Sequence, residues 1–376
     1  MIRRLLTTLP LSAAAMSVSP PRSNDRPASA DALLAAAQEA AILLDDRVAT
    51  AGIALARPPA FGIDDETRAR SGLLIATAVA SAEIALRTAE PLLDVGASGH
   101  LLERFVRAGL LARSGVAAAA LLRTEEHRLA AALVRVAGEA GDEDGGGGKG
   151  PGVQRLDPIG GDFAGESFAV RAAETARTGR TGDPLLPLHD IAAEDRHALF
   201  WQVAACLADR ALAAGAPEEA LHRAAAAAVA RSLAAIDDGE GIAPAAMGLA
   251  QRLDAAHQLD DRLLAGTLAG GRVASLAAML AVRAGIPFDD ARAMLADPAR
   301  FAVLLRACGV DRAIAAAMIL ALALGLDRGF GPDPAEAVAA LVDGYDALAV
   351  DAARAEVRRA RLDPLYRDAL AAVATR

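Results

Sequence analysis

"PEEALHRAAAAAVARSL", residues 217–233, decides the fold class. A proline opens the segment and two glutamates fill its first turn, where the positive end of a helix dipole favours acids. The run that follows is almost all alanine, the residue that loses no side-chain entropy on entering a helix. Leu221, Ala225, Val229, Leu233 and Ile236 recur at spacings of three and four, which makes one apolar stripe over 217–236. The rest of the chain is written in the same style. Of its 376 residues 54% are hydrophobic but only 3% aromatic, so the excess is alanine. β-Branched residues are scattered singly, whereas strands need them in clusters. The sequence predicts an all-α protein without a sheet. Antiparallel helix hairpins joined by short turns would stack either as a helical bundle or as an irregular, HEAT-like α-solenoid. No exact repeat period is visible.

Working outward, the helices have legible starts. Ser29 stands where an N-cap belongs, and behind it Leu33, Ala37, Ala41, Leu44, Val48, Ala51 and Leu55 form the stripe of a long helix ended by "ARPPAFG" (56–62). "DDETRAR" (64–70) opens the next, which runs to about Ala89, with shorter helices near 98–111 and 114–137. Prolines 217, 244, 287, 298, 334 and 364 each stand before a helical stretch. Asp297-Pro298, Asp333-Pro334 and Asp363-Pro364 pair an N-cap acid with a first-turn proline. Four segments follow: a tail over 1–28, an N-terminal helical domain over 29–137, a linker rich in glycine and acids over 138–165, and a C-terminal helical domain over 166–376. The linker contains "GGGGKGPG" (145–152), which cannot hold a helix.

Charge excludes some functions. The net charge is −9 and Lys149 is the single lysine, against the clustered positive charge that nucleic-acid binding needs. Arg354, Arg358 and Arg361 line one stripe near the C-terminus, read as a solvated face beside Glu356 and Asp351. Cys206 and Cys308 sit far apart on apolar faces and read as small buried hydrophobes in a reducing compartment, the cytoplasm. "MIRRLLTTLPLSAAAMSVS" (1–19) has the outline of a secretory signal, which keeps export or membrane association as an alternative. The longest apolar run, "AIAAAMILALALGL" (313–326), is shorter than the roughly 20 residues of a membrane span and reads as a buried helix.

Chemistry-bearing residues are few. Glu194 with His197, and Glu219 with His222, repeat the Glu-x-x-His spacing that puts two metal ligands on one helix face. Their helices, about 194–214 and 217–236, are joined by a tight turn and run antiparallel. The two pairs therefore start at opposite ends, about 30 Å apart at ~1.5 Å per residue, and do not share a metal. Asp254 and His257, at the end of a third helix, could approach Glu219 and His222; these four are the candidate metal ligands, with no bridging carboxylates identified. Glu125, Glu126 and His127 are adjacent in sequence and point apart on a helix, as a solvated face does. His100 and His189 have no spaced partners. "GGGGKGPG" lacks the glycine spacing and the Ser or Thr of a phosphate-binding loop, and "GDEDGG" (141–146) lacks calcium-ligand spacing. No nucleophile elbow is present. No catalytic residue, cofactor or metal is assigned.

One stretch carries a resemblance. "RLDAAHQLDDRLLAGTLAGGRVASLAAMLAVRAGIPFDDARAMLADPARFAVLLRACGV" (252–310) resembles the alphaproteobacterial family of domain of unknown function 2336. The matching phrase runs through Leu263, Leu264, Leu268 and Gly270, then Leu276 and Leu280, then Ala284-Gly285-Ile286-Pro287, Ala291, Leu295 and Asp297, and ends at Arg306, Ala307 and Gly309. The aromatic of the middle helix is replaced by Leu276 or Met279. Residues 101–133 resemble the family more weakly, and the likeness extends over roughly 30–330. The resemblance implies an all-helical fold in a bacterial cytoplasm and no activity, cofactor or site residue. The expectation is a non-enzymatic scaffold or regulatory protein that binds a protein partner or itself. The alternative is an enzyme or ligand binder with a site between helices near Glu219, His222, Asp254 and His257.

Overall fold

The computed structural model describes residues 29–56, 64–94, 96, 101–111, 115–143, 163–326 and 334–362, and single residues 366, 369 and 373. The described residues contain fifteen α-helices and no β-strand; the all-α expectation holds. The helices are α1 (Ala30–Ala56), α2 (Asp65–Ala89), α3 (Leu101–Arg107), α4 (Val116–Glu143), α5 (Ala164–Ala176), α6 (Ala193–Ala213), α7 (Glu218–Ala234) and α8 (Ile242–Ala255). They continue as α9 (Asp261–Ala269), α10 (Val273–Ala284), α11 (Phe288–Met294), α12 (Pro298–Ala307), α13 (Arg312–Leu326), α14 (Pro334–Ala347) and α15 (Val350–Ala360). The tail, with its signal-like segment and most of the glycine-rich stretch, lies outside the described residues.

The starts follow the expected chemistry. Ser29 Oγ accepts from the Ala32 N–H at 3.2 Å. Asp297 Oδ1 accepts from Ala299 and Arg300 N–H at 2.9 and 3.1 Å, with Pro298 first in α12. Two boundaries differ. The helix expected near 98–111 ends at Arg107, and the helix expected over 114–137 continues as α4 through Gly138 and Gly141 to Glu143. A single glycine costs a helix only ~1 kcal/mol, too little to stop a 28-residue helix.

The chain divides into two compact units, one holding 47–125 and 172–241, the other 29–46, 126–171 and the residues from 242 onward. Each unit draws on residues from both sides of the glycine-rich stretch.

In the first unit α2 is central. Leu74, Ile75, Ala78, Val79, Ala82 and Leu86 are buried with Phe105 of α3, Phe200 and Val203 of α6, and Leu221 and Val229 of α7. Its buried face also carries Arg68, which donates to the Ala54 and Leu55 carbonyls at 2.8 and 3.2 Å. These are orphan carbonyls at the end of α1, the natural target of a cation. Among the described residues α2 is the one helix long and apolar enough to cross a membrane by length and composition. A search for uninterrupted apolar runs misses it, because Thr77, Ser81 and Glu83 break the run without making the helix polar overall.

In the second unit α10 is buried on nearly all sides, from Val273 to Ala281, against α8, α9, α11 and α12. α12 is buried from Pro298 to Leu305 and packs on α13, α14 and α15. α13 corrects an expectation. It is buried on one face only, through Ala315, Met318, Ile319, Leu322 and Ala323, while Leu320 and Leu324 are 40% and 42% exposed. A helix apolar all round was read as buried all round, the usual case.

Candidate functional site

Glu219 and His222 are exposed on α7, and Glu219 pairs loosely with Arg223 at 3.9 Å. Asp254 and His257 are exposed at the end of α8. His257 has φ +56 and serves as the left-handed residue that ends the helix: the Gln258 N–H donates to the Leu253 carbonyl at 2.8 Å and the His257 N–H to that of Asp254 at 2.9 Å. That is the position glycine usually takes. Among the described residues no three His, Cys, Asp or Glu side chains are grouped to hold a metal ion.

Glu194 and His197 are also exposed. His197 Nε2 accepts from the indole N–H of Trp201 at 3.0 Å, so its lone pair is used one helical turn away. Glu125 bonds to Arg47, and Glu125, Glu126 and His127 are half-buried rather than on a solvated face. Arg354 pairs with Asp351 at 3.8 Å and donates to the Ala307 carbonyl at 3.2 Å, and Glu356 accepts from Gln38 at 2.9 Å. Arg358 and Arg361 are exposed, as expected of a solvated face. His100 and "GGGGKGPG" lie outside the described residues.

The buried charges, which sequence reading missed, fasten turns. In the first unit Arg177 and Asp190 pair at 2.8 Å with side chains 7% and 5% exposed. Arg123 reaches the Arg177 and Leu185 carbonyls at 2.8 and 3.2 Å, and Arg196 holds Asp238 at 2.7 Å. The first two contacts pin the stretch between α5 and α6, and the third ties the start of α6 to the turn after α7. In the second unit a shallow groove is lined by Leu259, Asp260, Asp261, Arg262, Arg283 and Ile314. Asp261 accepts there from Arg283 at 2.5 Å and from the Asp311 N–H at 2.7 Å, and Arg283 also donates to the Cys308 carbonyl at 2.9 Å. Asp261 and Arg283 therefore satisfy each other within the groove. Burial pushes the Cys308 thiol up to about 12, the reverse of a nucleophile's activation.

What the surface does offer is apolar. α13 presents Ala313, Ala317, Leu320 and Leu324 outward at spacings of four, three and four, with no charge among them. α2 presents Ala69, Leu73, Ala80, Ile84 and Thr88, and Ile84 is 66% exposed. Surface helices ordinarily turn charge to water. A signal for both stripes exists in the sequence: each helix lacks charge on every face for three turns or more, one face more than its core requires.

No curated protein and no solved structure matches the chain. The family model described as "Uncharacterised protein conserved in bacteria (DUF2336)" matches residues 160–358, so the weaker likeness over 101–133 falls outside the match. The buried phrase from Leu263 to Gly309 lies inside it: Gly285 ends α10 in the left-handed region with φ +66, and Pro287 caps α11. That match covers more than half of the chain, which therefore belongs to this bacterial family.

Proposed function

We propose that the protein is a helical scaffold or regulator that works by binding polypeptides, itself included, and performs no covalent chemistry. The observation that carries the reading is the pair of uncharged outward faces on α2 and α13. Exposed contiguous apolar surface on a soluble protein marks a place where something docks, and Leu and Ile anchors on a rigid helix bind with little entropic loss. The buried arginines Arg123, Arg177 and Arg196 support the same reading, since they bond to turn carbonyls and acids of the chain itself. The setting is taken to be the cytoplasm, with Cys206 and Cys308 both free.

Affinity capture from the native cell tests it. The full chain is compared with Leu73→Glu/Ile84→Glu and with Leu320→Glu/Leu324→Glu, after circular dichroism shows the variants folded. The expected result is a defined set of proteins captured by the parent and lost from at least one variant. Identical capture by all three, or capture of nothing, overturns the proposal.

A further inference from the structure

The outward stripe of α2 carries information about its partner. From Ala69 to Thr88 it covers about 28 Å at ~1.5 Å per residue. Leu73 and Ile84 are its large residues, 45% and 66% exposed. Thr77 and Ala80 lie between them. The stripe is symmetric about its midpoint. Turned end for end, Leu73 falls on Ile84, Thr77 on Ala80, and Ala69 on Thr88.

We propose that a second copy of the chain covers this stripe, the two α2 helices packing antiparallel about a two-fold axis between Thr77 and Ala80. The inference rests on the interaction reading above and names the partner of one of its two faces. A two-fold contact sets residue i on residue j and j on i, which the pattern satisfies by setting the large Leu73 on Ile84 and the small residues Thr77 and Ala69 on Ala80 and Thr88. Small residues at the crossing point let the backbones approach, and branched aliphatics one turn to either side fill the gap as the helices diverge.

Charge permits the pairing. The stripe itself is neutral, and its flanking arginines are occupied within their own chain: Arg70 by Glu66 at 2.8 Å, Arg87 by Glu83 at 3.3 Å and Asp94 at 3.0 Å. The same occupancy disfavours a lipid surface, which amphipathic helices hold with unpaired cations around large apolar residues. A face about 28 by ~10 Å from each copy covers roughly 560 Å² in projection. That is below the ~1,200–2,000 Å² of stable complexes, so the dimer is weak and depends on concentration.

Sedimentation velocity of the full chain from about 1 to about 200 µM, a range centred on micromolar affinity, tests it. The parent shifts from monomer to dimer across this range, and Ile84→Glu raises the midpoint at least ~10-fold, the effect of losing ~1.4 kcal/mol. Leu73→Lys alone weakens the dimer as well. The double variant Leu73→Lys/Ile84→Glu recovers association, because residue 73 faces residue 84 of the other copy. Both positions are exposed, so the variants keep their helical content. A parent that stays monomeric throughout, a dimer indifferent to Ile84→Glu, or a double variant without recovery overturns the self-pairing. So does binding of the monomer to phosphatidylglycerol vesicles that Ile84→Glu abolishes. If the parent stays monomeric yet captures a protein that Ile84→Glu loses, self-pairing is wrong and the interaction reading stands. If it is monomeric and captures nothing, both fall.

Discussion

Gly271→Ala probes the packing of the second unit. Gly271 lies in the turn between α9 and α10 with φ +66, and a Cβ there would stand 2.5 Å from the Ala130 carbonyl oxygen and 2.9 Å from Val134 Cγ2 on α4. Two costs add. The left-handed backbone costs an L-residue about 1–2 kcal/mol. The overlap involves backbone on one side, so the turn or α4 must shift, and such overpacking costs about 1–3 kcal/mol. The sum is about 2–5 kcal/mol. At ~2–4 °C per kcal/mol for a unit of this size, the melting temperature should fall by roughly 10 °C. Gly285→Ala is the internal control. Its φ is also +66, but no atom lies within 4 Å of the added Cβ. Only the first cost applies, a fall of roughly 3–6 °C. Thermal and urea unfolding followed by circular dichroism give both numbers. Equal losses at the two glycines would refute the close approach of α4 to the turn.

Three further outcomes follow from particular residues. His257→Gly should stabilise by about 0.5–1 kcal/mol, since it relieves the left-handed strain at the end of α8 and touches nothing else; a loss of stability would contradict the cap assignment. Asp297→Ala should cost about 1 kcal/mol as a lost N-cap. Burial pushes the Asp297 carboxyl up, against the Arg300 and Ala299 N–H groups and the Arg300 charge, which pull it down. A raised folded value means that its contribution is fully present below the unfolded value and fades as pH rises through the folded one. Asp297→Asn lacks that slope, so it should gain stability relative to the parent as pH rises from the ordinary aspartate range, which urea midpoints at several pH values read out. Burial raises both thiols, Cys308 to about 12 and Cys206 above its ordinary value. Cys206 is buried and Cys308 half-buried, so neither thiol should react quickly with a thiol reagent at pH 8 until the chain unfolds; labelling of folded protein as fast as of unfolded protein would contradict the raised thiols.

The fold was legible because its signals are local. Ser29, Asp297-Pro298 and the stripe Leu221–Ala225–Val229 act within one or two turns, and the structure uses each as read. The missed features are relational. The Arg177–Asp190 pair and the reach of Arg123 join residues 13 and 54 apart in sequence, and no spacing announces them. The end of α4 was misplaced because two isolated glycines were given the weight of four consecutive ones. For the candidate site, sequence spacing placed Glu219 and His222 on one face, as the structure does. Whether that face meets open water or another helix depends on packing, and it meets water. The outward faces of α2 and α13 were legible in principle, since alanine-rich helices without charge exceed the area one core contact can cover. Reading the apolar run 313–326 as buried on every side is right for Met318 and wrong for Leu324.

The central claim is that this chain works through its surface and not through a bound reactive group. Native mass spectrometry of the full chain, isolated gently from its own cell, tests that most directly. The expected spectrum holds the bare polypeptide mass and larger species that are sums of polypeptides. A stoichiometric metal or small molecule on the monomer, with no polypeptide assembly, would contradict the claim and point to a site for chemistry.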